Sequence, residues 1–423
     1  MPLLVAVPAL SALAGLLVRL VGRGSTRTAR VVAVGGAAVT VVLAALQWLA
    51  PVGTADLPTL GALPLGDLDV PLHLLSDETS GLIALVVALV VLAVQLFTTW
   101  YLTTDPRYPQ FAATVSLFAA GMLLVVQSAD LVLTLVGWEV MGWCSWLLIG
   151  HDSERAAARR AAYKAFLVTR VADIGMVVGL VALAVRARST DLQAVLTAPG
   201  ADASLTAGLV LVVIGVAGKS GLVPFHDWLP DAMEGPTPAS ALIHAATMVA
   251  AGSYVVARLF PLYAVSDGAR TVLAVLAAAT MVWASLLAFA QSDLKRMLAY
   301  STLGQVAILL GALAAAPVRV GVAPALGHLV AHAFFKSLLF LAVGWLAVLT
   351  GATTLAGMRG RLRGTGALAW SVAIGLAALA GVPPLVGFFT KDTVVDAALE
   401  GLHAGGGLRA GVVVVALYAT VAL

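Results

Sequence analysis

Apolar residues run along this chain in blocks close to 20 long, separated by short polar stretches. About 20 mostly apolar residues is the length an α-helix needs to cross a bilayer. Blocks near 2–20, 31–50, 79–101, 111–128, 131–150, 162–185, 205–224, 239–262, 270–290, 298–316, 322–350 and 367–399 predict membrane helices. A thirteenth begins near 410 and is still running at Leu423, so the chain reads as a piece of a longer protein. The first block has neither a basic start nor a small-residue cleavage site and reads as a membrane helix rather than a cleaved leader. The predicted fold class is all-α, a polytopic membrane helix bundle of about 13 spans.

Composition sharpens this picture. Of the 423 residues, 61% are hydrophobic and 11% charged, with a mean hydropathy of +1.02. A soluble domain averages about 25% charged residues, so soluble enzymes, nucleic-acid binders and disordered chains are excluded. The single Cys144 excludes a disulfide framework, a cysteine-ligated iron–sulfur cluster and a cysteine zinc site. No glycine-rich nucleotide fingerprint or P-loop is present. The net charge of +3 comes from arginine-rich loops. With the N-terminus outside, the inner loops carry Arg23, Arg27, Arg30, Arg107, Arg155, Arg159, Arg160, Lys164, Lys295, Arg296, Arg359, Arg361 and Arg363. The outer loops carry Arg186, Arg188, Arg270, Arg319 and Arg409, an asymmetry in the direction of the positive-inside rule. The loop from Pro51 to Asp77 has four Asp and no Lys or Arg, as an outer loop would.

Two blocks are interrupted. Gly218-Lys219-Ser220-Gly221 is followed by Pro224 and Pro230, and Gly381-Val382-Pro383-Pro384 by Gly387. Gly and Pro free backbone groups, which in lipid must be satisfied by protein or trapped water, so both read as broken helices lining a cavity. Gly218-x-x-x-Leu222-Val223-x-Phe225 matches Gly381-x-x-x-Leu385-Val386-x-Phe388, and Asp231-Ala-Met-Glu-Gly235 parallels Asp396-Ala-Ala-Leu-Glu-Gly401. Matching broken helices an odd number of spans apart predict an inverted repeat.

The charges inside the apolar blocks supply the candidate chemistry. Of five lysines, Lys219, Lys336 and Lys391 fall within apolar segments, while the loops are built with Arg. A charge at the bilayer centre costs about 2.5–3.5 kcal/mol on insertion scales. Arg keeps its proton wherever it is placed, whereas a buried Lys can release one. Glu139 lies mid-block in 131–150, with Lys219 its expected partner. His328, His332 and Lys336 stand at i, i+4 and i+8, within about 80° on one helix face, a stripe suited to proton relay. Two His four apart can also ligate a metal, but no acidic or cysteine partner accompanies them and no metal is expected. His244 is a further titratable group between the halves, and Lys391 closes the series. Arg170 and Asp173, at i and i+3, are expected to pair with each other. His226, Asp227, Asp231 and Glu234 flank Pro-rich turns, as either an entry funnel or a solvated loop.

These residues resemble a known family. Trp138-Glu139, Gly218-Lys219-Ser220, Pro224-Phe225-His226-x-Trp228-Leu229-Pro230-Asp231-Ala-Met-Glu-Gly-Pro-Thr-Pro238, Asp293-Leu294-Lys295-Arg296-x-Leu298-Ala299-Tyr300-Ser301-Thr302, His332-Ala-Phe-Phe-Lys336-x-Leu338-Leu339-Phe340 and Gly381-x-Pro383-x-x-x-Gly387-Phe388-Phe389-x-Lys391-Asp392 carry the likeness. They resemble the antiporter-like membrane subunits of proton-pumping NADH:quinone oxidoreductase (complex I), over about residue 70 to the end. His244, Lys391 and Val168-Thr169-Arg170-Val171-x-Asp173 are most similar to the L, or chain 5, type. The resemblance implies two inverted five-helix repeats, each with a broken helix: N-terminal helices at 1–110, a first repeat at 111–262 and a second at 270–423. It implies a proton path through Glu139, Lys219, His244, His328, His332, Lys336 and Lys391. It further implies a translocase subunit of a bacterial-type inner membrane with no cofactor of its own. Flavin, iron–sulfur and quinone would then belong to partner subunits, and its partners are other membrane subunits, the bilayer and protons, without nucleic acid.

Two other readings share parts of this evidence. The same motifs serve Mrp-type sodium/proton antiporters, membrane-bound hydrogenases and inorganic-carbon uptake complexes. A secondary transporter for an organic solute would need Asn, Gln and aromatic clusters, whereas the buried polar groups here are nearly all titratable.

Overall fold

The computed structural model describes residues 2–51, 55–56, 68–198, 200–245 and 247–422. Among these, 11 helices are long and apolar enough to cross a membrane. The first six spans are α1 (Pro2–Val21), α2 (Thr26–Leu49), α3 (Glu78–Tyr101), α4 (Tyr108–Gln127), α5 (Leu131–Ile149) and α6 (Ala156–Ala187). The short α7 (Leu192–Thr197) precedes α8 (Ala203–Ser220), which stops mid-bundle and gives way to α9 (Trp228–Asp231) and one 3₁₀ turn, Ala232–Glu234. One span is shared by α10 (Thr237–His244) and α11 (Met248–Arg258), followed by the short α12 (Phe260–Ala264). Then come α13 (Asp267–Phe289), α14 (Leu294–Ala315), α15 (Ala323–Thr350) and the short α16 (Leu355–Met358). The last span but one is split into α17 (Gly366–Ala380) and α18 (Val386–His403), before α19 (Gly407–Ala422). A two-residue ladder, Ala55–Asp56 with His73–Leu74, lies in the loop before α3. Much of the acidic loop expected at 51–77, Asp67 included, lies outside the described residues.

Polar caps set the helix starts. Ser25, Asp77, Asp130, Asp191, Asp202, Ser266, Asp293 and Thr354 each accept a hydrogen bond from a first-turn N–H, which satisfies donors that lipid cannot. The loops sort into two ends as the arginine count requires. At the basic end, Arg30 donates to Thr103 O, Arg155 pairs with Glu234, and Leu294 N donates to Thr353 O. At the other end Asp130 bridges Asp191, Asp77 pairs with Arg258 and Arg409 with Asp267. Arg270, expected in an outer loop, is instead buried in the first turn of α13 and donates to Ala314 O and Ala316 O. It thus caps the carbonyl end of α14, where a cation is favoured.

Two expected breaks are present. The helices before them end on Gly221 (φ 69) and Gly381 (φ 82), left-handed positions that glycine adopts without steric cost. The caps match Gly221 to Gly381, so the structural register differs by three residues from the Gly218–Gly381 match in the sequence. Loosely similar apolar stretches slide past each other easily, whereas a cap position is fixed by backbone geometry. A third interruption, between His244 and Met248, has no Gly or Pro to announce it. There the Thr247 hydroxyl donates to Leu242 O, taking a carbonyl that a continuous helix would have bonded along its axis.

Small residues let the helices of each half approach closely. A Cβ at Gly179 would meet Gly208 O at 2.7 Å, and one at Gly215 would meet Met176 Cβ at 2.5 Å, so α6 and α8 touch backbone to backbone. Gly387, in the first turn of α18, is the tightest case. A Cβ there would sit 1.8 Å from Ala378 O, which is backbone and cannot turn aside. Gly387→Ala is therefore expected to lower the thermal midpoint of the purified chain by the equivalent of about 1–3 kcal/mol. A midpoint equal to the parent's in differential scanning fluorimetry would contradict the packing of this break.

Candidate functional site: a buried line of charges

The first cluster forms where α5, α6 and α8 meet. Lys219, in the last turn of α8, is fully buried. Its Nζ donates to Trp138 O at 2.7 Å, lies 4.4 Å above the Trp138 ring and stands 3.6 Å from Asp173 Oδ2. The Trp138 indole in turn donates to Asp173 Oδ1 at 2.6 Å. Glu139 does not reach Lys219 as expected from the sequence; its carboxylate pairs with Arg170. Arg170 also lies 3.4 Å from Asp173, the expected i, i+3 pair, and so stands between the two halves of the cluster. The reason is Gly142, one turn beyond Glu139 on α5. A Cβ there would fall 2.2 Å from Arg170 Nη2 and 3.1 Å from Lys219 Nζ, so its absence lets both cations approach one point. The result is a chain of alternating sign, Glu139, Arg170, Asp173, Lys219. The i, i+3 spacing showed Arg170 and Asp173 to be partners, but not that they join the cluster. Glu139 is the exposed end of this chain, its side chain 38% accessible, while Lys219 is sealed.

The second cluster lies between α14, α15, α17 and α18. The predicted stripe His328, His332 and Lys336 is present on α15, and all three are fully buried. Lys336 Nζ donates to Leu298 O at 3.1 Å and to Ser301 Oγ at 2.8 Å, both on α14. His328 is held from two sides, by Gln305 on α14 and Thr390 on α18. Lys391 Nζ donates to Leu379 O at 2.5 Å, an end carbonyl of α17 left free by the break. Ser301, Gln305 and Lys391 all line one cavity of about 550 Å³. Ser301 and Gln305 were not singled out from the sequence, because neutral polar residues in an apolar block look like ordinary helix surface.

His244 stands between the clusters at the end of α10, with its ring 4.9 Å from that of Phe340 on α15. Neither of its ring nitrogens has a hydrogen-bond partner among the described residues. Among the described residues no group of three or more His, Cys, Asp or Glu is placed to hold a metal ion.

At the basic end, the Pro-rich turns line a mouth of about 430 Å³ with His151, Arg155, Glu234, Lys295 and Arg296. Asp231 pairs with Lys164 and Arg296, and Glu234 with Arg155, so these carboxylates are neutralised rather than free. Lys295 is buried at this mouth, donating to Met233 O at 2.6 Å and Gly235 O at 3.0 Å. Across it Asp105 accepts from His151 at 2.8 Å. Burial alone would raise the Asp105 carboxyl, but His151 and the Arg107 N–H hold it below the ordinary range. His226 accepts from the Trp283 indole and faces away from this mouth, so the four flanking residues do not act as one group.

Comparison with known proteins fits this geometry. Residues 128–415 match the family described as NADH:quinone oxidoreductase/Mrp antiporter, TM, and residues 63–112 match the complex I chain 5 N-terminus. The chain belongs to this family. It is 36% identical over 432 residues to NADH-quinone oxidoreductase subunit L of Neisseria meningitidis, covering 97% of this chain and 63% of that one. It is 39% identical over 369 residues to the subunit L of Mycobacterium tuberculosis, covering 85% and 58%. With chain 5 of a Picosynechococcus NAD(P)H-quinone oxidoreductase it shares 38% identity over 354 residues, 79% of this chain and 52% of that one. The chain thus spans between half and two thirds of the length of these relatives. Among solved structures, the Mrp complex from a Dietzia species superposes with a TM-score of 0.86 at 29% identity, covering 99% of this chain and 46% of that one. An archaeal membrane-bound sulfane sulfur reductase superposes with a TM-score of 0.88 at 22% identity, over 99% and 86%, and shares the fold. The protein is an integral, multi-pass, antiporter-like membrane subunit.

Proposed function

We propose that this subunit moves protons across a bacterial-type inner membrane within an NADH:quinone oxidoreductase, driven by electron transfer in partner subunits. The observation that carries the reading is a series of lysines inside the bundle, each bonded to a backbone carbonyl, the last of them at a helix break. Lys219 bonds to Trp138 O, Lys336 to Leu298 O and Lys391 to Leu379 O, so two buried ammonium groups and one half-buried one are each held by a carbonyl. A carbonyl stabilises the charged lysine yet remains in place when the proton leaves. Protons would pass from the Glu139–Lys219 cluster through His244 to His332, Lys336 and His328, and leave by way of Lys391. We place the unit boundaries at 1–110, 111–262 and 270–423, so that the path runs through one repeat and into the next.

The likeness to the subunit L and chain 5 proteins supports the oxidoreductase over the Mrp-type antiporter, whose complex shares the fold. The reading assigns no flavin, iron–sulfur or quinone site to this chain, which leaves the redox chemistry to its partners. Affinity purification of the tagged chain from its native membrane in mild detergent tests this. NADH-oxidising flavoprotein subunits are expected to co-purify, and the chain stripped of partners should show no flavin or iron–sulfur absorbance. Recovery of small antiporter subunits without NADH oxidation would favour the antiporter assembly, and stoichiometric cofactor on the stripped chain would overturn the assignment.

A further inference from the structure

His328 is the one buried histidine of the path that protein groups hold at both ring nitrogens. Its Nε2 lies 3.1 Å from Gln305 Oε1 and its Nδ1 lies 2.9 Å from Thr390 Oγ1. The ring nitrogens of His244 have no such partners among the described residues, and His332 has none on a side chain. Thr390 Oγ1 is also 3.1 Å from Val386 O, one turn earlier on α18. A hydroxyl has one proton to give and can accept at the same time. With the Gln305 oxygen facing Nε2, that nitrogen carries the hydrogen of the neutral ring. Nδ1 is then an acceptor, and Thr390 donates its proton to it. When the ring is doubly protonated, Nδ1–H donates to Thr390 Oγ1, and the Thr390 hydroxyl turns its own proton to Val386 O.

We propose that Thr390 is a positioning residue for proton transfer, a rotating hydroxyl that satisfies His328 in both protonation states without movement of any heavy atom. In the step itself the Thr390 hydroxyl first turns its proton to Val386 O and opens the Nδ1 lone pair. A lysine Nζ–H bond of the path then breaks and an Nδ1–H bond forms on His328, while the hydroxyl proton stays on Thr390. The proton comes from and returns to the lysines of the path, so the inference rests on the proton-path reading above. The placement supports it, since Thr390 immediately precedes Lys391 on α18 and Gln305 lines the cavity that Lys391 enters. The charged or titratable groups beside His328 are Lys391 from α18 and His332 from its own helix, with neutral Gln305 facing it from α14.

The test compares Thr390→Val, which keeps the shape and removes the hydroxyl, with Thr390→Ser, which restores it. Thr390→Ala replaces the valine variant if the latter does not assemble. Proton uptake and NADH oxidation are followed across external pH in native membrane vesicles carrying the full complex, with Lys391→Ala alongside. A hydrogen bond to a charged group is worth about tenfold in an equilibrium, so the valine variant is expected to pump about tenfold more slowly, with an altered pH profile. Serine should return both to within about twofold. A role in packing alone would lower the amount of complex and leave the pH profile as in the parent. Parent-like pumping and pH profile in Thr390→Val, with Lys391→Ala impaired, would overturn this inference and leave the path standing. Parent-like pumping in Lys391→Ala would overturn both.

Discussion

Lys219→Ala and Glu139→Gln are each expected to cut NADH-driven proton uptake by vesicles at least tenfold, while the complex still assembles. Lys219 is sealed from solvent and stands 3.6 Å from Asp173, so it is the one cation positioned to set that carboxylate's charge from α8. Its loss leaves Asp173 with Arg170 as its cation and the Trp138 indole as its hydrogen-bond donor. Glu139 acts from the opposite end. Neutralising it frees Arg170, which turns fully to Asp173 and draws that carboxylate away from Lys219. For the buried Lys219–Asp173 pair, removing one member typically costs about 3–5 kcal/mol, more than the roughly 1.4 kcal/mol that corresponds to tenfold. Glu139 acts on that pair through Arg170. The glutamine side chain keeps the shape of Glu139, and the lysine site is lined by the apolar Trp138 ring, so neither change should unfold the bundle. Proton uptake at the parent rate in both variants, in membranes with normal subunit content, would refute the role of this cluster.

The second large effect is expected at Lys391. Lys391→Arg retains a positive charge and should nonetheless pump almost as poorly as Lys391→Ala. A lysine ammonium bound to one carbonyl can give up its proton and return to the same place, whereas a guanidinium stays protonated at any accessible pH. The surroundings sharpen the distinction. The Leu379 carbonyl offers Lys391 one acceptor at 2.5 Å, whereas a guanidinium brings five donors to be satisfied. The initial rate of dye quenching on NADH addition reads this directly. A fixed charge that only shapes the field would be served as well by Arg.

Much of this arrangement was legible in the sequence, and the rest was not for identifiable reasons. The spans were legible because lipid demands long apolar runs, and the two Gly–Pro breaks because those residues cannot continue a helix. The stripe of His328, His332 and Lys336 followed from helical period alone. The partner of Glu139 did not. Which of several buried cations reaches a carboxylate depends on which helices touch, and α8 packs on α6 through Gly179, Gly208, Gly215 and Gly218. In the sequence Gly218 read as part of a break, and the other three carried no sign of a contact surface. The interruption after His244 was silent because Ala245 and Thr247 are compatible with a helix, and the bond from Thr247 to Leu242 O shows itself only in the fold. Gln305 and Thr390 were silent too, and Ser301 stood in a family motif without a role, since one neutral polar residue in an apolar block carries no chemistry until its histidine or lysine partner is in view.

The number of protons taken up per NADH oxidised, in vesicles carrying Lys391→Arg beside the parent, tests most directly whether buried lysines carry protons. The account predicts that NADH oxidation persists while the ratio falls below the parent value. An unchanged ratio at an unchanged rate would show that the lysine is a fixed charge, and would contradict a path built on its titration.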